Sequence, residues 1–258
     1  MNRVATRELS MLVALLAIWA FFAWQEPVFL SARNLSLLSV ELAITAVLAL
    51  GMLVVLLPGQ IDLSAGSGVG LAGAVAAVLV FWHDVPAPIA LLIATLGAVL
   101  VWSAMGALIA VERIPAFIMT LGGLLVFRGL HWLVIENQTV PVVVGGSQNV
   151  YSLLTTYYLP EVAGYVLAGL AVTAIVATAL VARKRRQSYG FPVDDGEITF
   201  LKLFALAQLV FLVVIVTNGY RGVPIALVIL GLVAVLVHQL VTNTPFGRYL
   251  YAIGGNEE

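Results

Sequence analysis

The sequence predicts an all-α, polytopic membrane protein of about eight transmembrane helices. Three observations carry this. Of 258 residues, 62% are hydrophobic and only 10% charged, whereas a soluble domain carries about 25% charged residues. The apolar residues fall into long continuous runs broken by charged or Pro/Gly punctuation. Basic residues gather in alternate connecting segments. The runs lack the alternation of membrane barrel strands, and helices satisfy their own backbone groups in lipid. A net charge of −1 excludes a nucleic-acid binder working through a basic surface. With no cysteine in the chain, there is no disulfide framework, thiolate nucleophile or thiolate metal site.

The first run, Leu9–Trp24, follows Arg3 and Arg7. It ends in Trp19, Phe21, Phe22 and Trp24 with no small-residue cleavage site, so it reads as a retained span. The second is Leu35–Leu57, with Glu41 near one end. Pro58-Gly59-Gln60-Ile61-Asp62-Leu63-Ser64-Ala65-Gly66-Ser67 then interrupts the apolar pattern. Two readings of it stay open. It is an ordinary interhelical loop in which Asp62 or Ser64 caps the next helix, or it is a broken or re-entrant segment near 58–67 that carries backbone and Asp62 to membrane depth.

The third run, Ser67–Trp82, contains Gly68-Val69-Gly70-Leu71-Ala72-Gly73. The spacing matches a dinucleotide fingerprint, but no strand precedes it. Small residues that let helices approach closely are the better reading. The fourth run is Ile89–Val111. The fifth, Phe117–Ile135, opens with Ile114-Pro115-Ala116, where Pro115 suits the first helical turn. Gly122-Gly123 weakens this helix mid-course. Phe117 and Thr120 lie about one turn apart. They read either as packing or as an aromatic and a hydroxyl suited to a sugar ring.

Residues 136–161 form the longest outer segment, with Pro141, Gly145, Gly146, Tyr151, Tyr157 and Tyr158. It reads as an interfacial aromatic belt or as a docking surface for an external partner. Val162–Ala182 is the sixth run. The 183–198 loop passes from Arg183, Lys184, Arg185 and Arg186 to Asp194, Asp195 and Glu197, and reads as a mobile, solvated anchor. Thr199–Thr217 and Val223–Val241 complete the spans.

In the final segment, 242–258, Thr244-Pro245 has N-cap and N1 character. Phe246, Tyr249 or Leu250, and Ile253 recur at helical spacing, and Gly254-Gly255 is placed to end the helix. Asn256-Glu257-Glu258 then looks like the start of another helix, and the chain reads as C-terminally incomplete.

With the N-terminus inside, the inner segments hold Arg3, Arg7, Arg113, Arg183, Lys184, Arg185, Arg186, Lys202 and Arg248, and the outer ones hold Arg33 and Arg221. The positive-inside rule therefore predicts a cytoplasmic N-terminus. Within spans, Glu41, Arg128, His131, Gln208 and His238 are functional candidates by default, each with a structural reading beside it. No phosphate-binding G-x-x-x-x-G-K-[ST], H-E-x-x-H or G-x-S-x-G is present. No catalytic residue and no metal site is expected, and ATP, if used, is hydrolysed by another subunit.

Three stretches carry a family resemblance. They are Gln60–Ser67, Ile114–Gly123 and Thr244–Asn256, supported by Leu30-Ser31-Ala32-Arg33-Asn34, Phe127-Arg128-Gly129 and Tyr220-Arg221-Gly222-Val223-Pro224. Together the chain resembles bacterial monosaccharide ABC-importer permeases of the ribose, galactose, arabinose and xylose group. The last motif and the Arg183–Arg186 cluster are most similar to the D-xylose branch. The resemblance covers essentially the whole chain and implies a single permease domain over 1–258 in the bacterial inner membrane. It also implies a second permease copy in a homodimer, a cytoplasmic ATP-binding subunit, a periplasmic sugar-binding protein and a monosaccharide substrate. No cofactor is implied for this chain itself.

On that resemblance the substrate pathway is expected at Gln60, Asp62, Ser64, Phe117 and Thr120. ATPase coupling is expected at Phe246, Gly247, Arg248, Tyr249, Gly254, Gly255, Asn256 and Glu257. The alternatives from the residues alone are a stand-alone secondary carrier or channel using Glu41, Arg128 and His131, and a non-functional truncated permease.

Overall fold

The computed structural model describes residues 3–256 apart from 142, 144, 145 and 147. Ten helices and two short strands appear among the described residues. They are α1 Arg3–Gln25, α2 Ala32–Leu56, α3 Ala65–Phe81, α4 Ala87–Glu112, α5 Ala116–Val134, α6 Val150–Thr156, β1 Tyr158–Leu159, α7 Glu161–Ser188, α8 Gly196–Asn218, β2 Val223–Pro224, α9 Ile225–Asn243 and α10 Pro245–Gly255. Each expected apolar run falls on a helix. Six of these helices (α2, α4, α5, α7, α8 and α9) are long and apolar enough to cross a membrane. The apolar part of α1 and all of α3 are shorter. At 17 residues, α3 rises only about 25 Å against a hydrocarbon core of about 30 Å. The chain is thus a polytopic, all-α membrane protein.

The residues form two compact units, one up to Glu41 plus Tyr158–Pro224 and the other Leu42–Tyr157 plus Ile225 onward. In the first unit, α7 packs along α8. Glu161 sits in the first turn of α7 and Arg185 and Arg186 in its last, each sign matched to the helix dipole. The basic cluster expected in a loop therefore continues the helix. Within the 183–198 segment Arg183 Nη2 donates to the Asp194 carbonyl at 3.1 Å, and Lys202 pairs with Asp194. The Lys202 ammonium, first by hydrogen bond and then by charge, holds the Asp194 carboxyl below the usual aspartate range.

At the opposite end of this unit, β1 and β2 pair antiparallel, Tyr158 with Pro224 and Leu159 with Val223. The run expected as helix from Val223 thus begins as strand and turns helical at Ile225. Pro224 has no N–H to give a helix, whereas its pairing with Tyr158 needs none. Gly222 makes the approach possible. It sits at φ +108°, and a Cβ there would lie 1.9 Å from the Leu159 carbonyl oxygen. Beside it, the Arg221 guanidinium lies over the rings of Tyr220 and Tyr158, at 5.3 and 5.9 Å.

In the second unit, α3 is the central helix and packs on α4 and α5. Among its glycines, Gly68 permits the close helix approach expected of small residues. A Cβ on Gly68 would fall 2.1 Å from the Trp102 ring of α4 and 3.1 Å from Phe127 of α5. The Trp102 and Phe127 rings pack at 5.3 Å. Helix α5 starts at Ala116, one residue before the expected run, and Pro115 stands just ahead of its first turn. Pro115 is its N-cap, with ψ 126°, and its carbonyl takes the N–H groups of Ile118 and Met119.

The 136–161 segment is not only a belt. Asn149 and Ser152 form a reciprocal capping box that starts α6. Helix α6 packs on α4 and α9, and the Tyr151 hydroxyl donates to the Gly73 carbonyl of α3 at 3.2 Å.

Candidate functional site

The site is built on the break between α2 and α3. From Leu57 to Ser64 the backbone is non-helical. Gly59, at φ +82°, makes the turn after Pro58. The chain then continues as irregular backbone within the second unit, where its polar groups are met by protein. Thr120 Oγ1 donates to the Ile61 carbonyl at 3.2 Å. Asp62 Oδ1 accepts from the Ser64 amide at 2.7 Å and the Ser64 hydroxyl at 2.6 Å. Asp62 Oδ2 accepts the Trp102 indole N–H at 3.1 Å. One carboxylate thus gathers three donors from two residues, and its bond to the Ser64 amide is an Asx turn that leads into α3.

Trp102 stands ten residues from the Glu112 end of α4, about 15 Å of helical rise. The irregular segment therefore reaches deep among the helices of its unit, and the broken-helix reading of Pro58–Ser67 is the one the geometry favours. Such backbone is tolerated at depth where it is buried in protein or lines a cavity. Both hold here: Ser64 is fully buried, and Asp62 faces a cavity of about 540 Å³.

This volume lies within the roughly 300–1,000 Å³ of small-molecule sites. One wall is α2 from Ala43 to Val55. Ala65 and Val69 of α3 and Trp102 of α4 form another, and α6 and α9 contribute Leu154, Thr155, Ala226 and Ile229. Polar side-chain atoms come from Asp62, Trp102 and Thr155. An apolar slot with a few polar groups holds a polar solute weakly, which suits passage better than storage.

The expected pathway residues are not all brought together. Asp62, Ser64 and Thr120 form one hydrogen-bonded cluster. Gln60 is exposed. Phe117 is 51% exposed while Thr120 is 4% exposed, so the aromatic and the hydroxyl point apart and do not share a cavity wall. Thr120 instead bonds the Phe117 carbonyl at 3.4 Å as well as Ile61. Trp102, Tyr151 and Thr155 were missed. Trp102 had one signal, a lone indole in a run of small and aliphatic residues opposite Gly68. Tyr151 and Thr155 had none, because the contact that places α6 joins residues 78 apart in sequence.

The C-terminal helix α10 starts as expected. The Thr244 hydroxyl accepts from the Gly247 amide at 3.2 Å, and Pro245 sits at N1. Of the residues expected to share one face, Leu250 alone is buried. Gly247 and Leu250 are buried, while Phe246, Tyr249 and Ile253 are exposed. The reason is backbone proximity. A Cβ on Gly247 would lie 1.9 Å from the Val241 carbonyl oxygen, and one on Gly254 would lie 1.9 Å from that of Leu57. Gly254 therefore seats the helix end on the turn that begins the broken segment. Gly255 has open space around its Cβ position, Arg248 is exposed, and Asn256 ends the helix in extended conformation. Glu257 lies outside the described residues.

None of the remaining intramembrane candidates is among the residues lining the cavity at Asp62. Glu41, Arg128, Gln208 and His238 are exposed. His238 lies 3.4 Å from the Thr242 hydroxyl. His131 is half-buried in α5, with its ring beside Trp132 at 5.9 Å. Among the described residues, no group of His, Cys, Asp or Glu is placed to hold a metal ion.

Six helices long and apolar enough to cross a membrane, with a non-helical break between α2 and α3 beside a cavity that Asp62 lines, define a multi-pass membrane protein. Residues 34–258 match the family described as branched-chain amino acid transport system / permease component, and the chain belongs to that family. It is 37% identical over 250 residues to the xylose transport system permease protein XylH of Haemophilus influenzae, covering 95% of this chain and 65% of that protein. To XylH of Escherichia coli K12 it is 36% identical over 249 residues, covering 96% of this chain and 62% of the relative. The ribose import permease protein RbsC of Escherichia coli K12 is more distant, 27% identical over 250 residues, with 97% and 59% covered. The chain thus spans a little under two thirds of the length of these xylose permeases. No solved structure matches it at a significant level.

Proposed function

We propose that the protein is the membrane-spanning permease subunit of an ATP-driven monosaccharide importer, with a pentose of the xylose type as substrate. The observation that carries this reading is the 36–37% identity to proteins named as xylose transport system permeases across nearly all of this chain. The family description names amino acids, but the individual relatives named for a substrate carry sugar names, and the greater identity lies with xylose over ribose.

The proposed pathway passes the slot at Asp62 and Trp102. Sugar hydroxyls exchange hydrogen bonds with the free lone pairs of Asp62 and with Thr155, and the apolar walls keep the affinity low enough for release. Alternating access requires two packings of the helices. The joint between Gly254 and Leu57 supports a mechanical route between them. A push on α10 from a cytoplasmic ATP-binding subunit reaches the turn that begins the Asp62 segment through direct backbone contact. In this reading the exposed face of Phe246, Arg248 and Tyr249 meets that subunit and the N-terminus is cytoplasmic in the bacterial inner membrane. The 136–161 segment then faces a periplasmic sugar-binding protein, and a second permease copy completes the channel. The chain itself does no covalent chemistry.

The test is reconstitution of the full-length protein in proteoliposomes with the ATP-binding and sugar-binding proteins of its gene neighbourhood. Uptake of labelled xylose, ribose, arabinose and galactose is measured with and without ATP. ATP-dependent uptake of a pentose supports the reading. Uptake by the permease alone on a proton gradient assigns it to a secondary carrier instead.

A further inference from the structure

The first unit holds a second cavity, of about 510 Å³, between the ends of α7 and α8 that carry Arg183 and Lys202. Its polar lining holds three cations, Arg183, Arg186 and Lys202, against one carboxylate, Asp194, with Thr199 beside them, and its apolar side includes Ala179, Ala182 and Leu203. The cations stand where the apolar run of α7 stops. Val162–Ala182 rises about 31 Å, the thickness of a hydrocarbon core, and Arg183 is the next residue. The cavity thus lies at the headgroup level of one leaflet, with its apolar wall continuing toward the acyl region.

Two features mark the cavity as an anion site. Arg183 Nε is buried with no hydrogen-bond acceptor, although buried donors are ordinarily satisfied. Arg183 Nη2 is fixed on the Asp194 carbonyl at 3.1 Å, which holds the guanidinium in place. Between residues 183 and 202 there are five cations (Arg183, Lys184, Arg185, Arg186, Lys202) against three carboxylates (Asp194, Asp195, Glu197), a surplus of two. Asp194 already pairs with Lys202.

We propose that this cavity binds the phosphodiester headgroup of an anionic glycerophospholipid, with the phosphate on Arg183 and Arg186 and an acyl chain along Ala179, Ala182 and Leu203. Guanidinium groups suit phosphate oxygens through paired N–H donors. Basic pockets between helix ends at a membrane face are a known kind of lipid site. The apolar wall selects a lipid over free phosphate, because a free anion gains nothing from it. The inference stands whether or not the protein carries sugar, since it uses a different unit and different residues.

The full-length protein, purified in a neutral detergent, is titrated by native mass spectrometry with dioleoyl phosphatidylglycerol, dioleoyl phosphatidylcholine and inorganic phosphate. Phosphatidylglycerol binds at least about tenfold more tightly than phosphatidylcholine, and Arg186→Gln weakens it about fivefold. Arg183→Gln has the same effect, and Arg186→Gln carries the test if that variant does not fold. Lys184→Gln removes the same charge outside the cavity and leaves binding unchanged. Equal binding of the two lipids overturns the proposal, as does an equal loss in Lys184→Gln, which makes the attraction diffuse. Inorganic phosphate that displaces phosphatidylglycerol at comparable concentration assigns the site to a free anion and overturns the lipid.

Discussion

The indole N–H of Trp102 donates to Asp62 Oδ2 at 3.1 Å, joining residues forty apart in sequence. The bond ties the non-helical segment after α2 to the middle of α4, and the same carboxylate holds the first turn of α3 through Ser64. Asp62 is therefore both a wall of the slot and the clasp of the break.

Asp62→Ala leaves the Trp102 indole, the Ser64 amide and the Ser64 hydroxyl without their acceptor. The expected cost is about 1–3 kcal/mol for stranded buried donors, read as a lower thermal unfolding midpoint in detergent, with membrane insertion retained. ATP-dependent uptake falls in the same variant. Trp102→Phe removes one donor and keeps most of the ring, so its stability loss is about 1 kcal/mol. Unfolding midpoints in both variants equal to that of the unsubstituted protein contradict the clasp.

Gly68→Ala drives a methyl group into the Trp102 ring, since its Cβ position lies 2.1 Å from the nearest ring carbon. Overpacking of this kind costs about 1–3 kcal/mol. On the same helix Gly66 has no atom within 4 Å of its Cβ position, and Gly66→Ala is tolerated. Thermal unfolding of the two variants side by side checks the contrast.

The neighbouring glycines Gly254 and Gly255 give a sharper contrast. Gly254→Ala cannot keep the seat of α10 on the Leu57 carbonyl, whereas Gly255→Ala meets nothing. In the reconstituted complex, sugar-stimulated ATPase activity drops severalfold in Gly254→Ala and is retained in Gly255→Ala. Equal activity in both variants removes the joint from the coupling route.

Tyr151 fastens α6 over the slot through its bond to the Gly73 carbonyl. Tyr151→Phe deletes that bond at a cost of about 1 kcal/mol. Amide hydrogen exchange across Val150–Thr156 then speeds up by about fivefold, while α3 beyond Gly73 is little changed. Unaltered exchange in α6 shows that packing on α4 and α9 alone holds it.

Much of this architecture was legible in the sequence because its cause is local. Lipid demands long apolar runs, and Pro, Gly and charge end them, so every span falls on a helix. Thr244-Pro245 started α10 for the same reason, with a cap and a first-turn proline adjacent in the chain. Asp62 was legible as a polar group between apolar runs. Trp102 as its partner was not, because nothing in either segment encodes which helix lies beside which. The Phe117 and Thr120 pairing failed because helical spacing places two residues near one face without saying which side of that face is buried. On α10, spacing selected Phe246, Tyr249 or Leu250, and Ile253, and of these Leu250 is buried. Backbone contact selected the glycines Gly247 and Gly254 as well.

The central claim is that the slot at Asp62 and Trp102 is the sugar's route, and the absence of cysteine from this chain allows a direct measurement. Single cysteines are placed at Ala65 and Thr155 in the slot and at Leu100, which is 70% exposed on α4. Each is treated with a membrane-impermeant thiol reagent in the reconstituted importer, with and without ATP, binding protein and xylose. Ala65→Cys and Thr155→Cys are predicted to label during turnover and to be protected by xylose, while Leu100→Cys does neither. Slot cysteines that stay unlabelled during active xylose uptake contradict the account, because the sugar then crosses elsewhere.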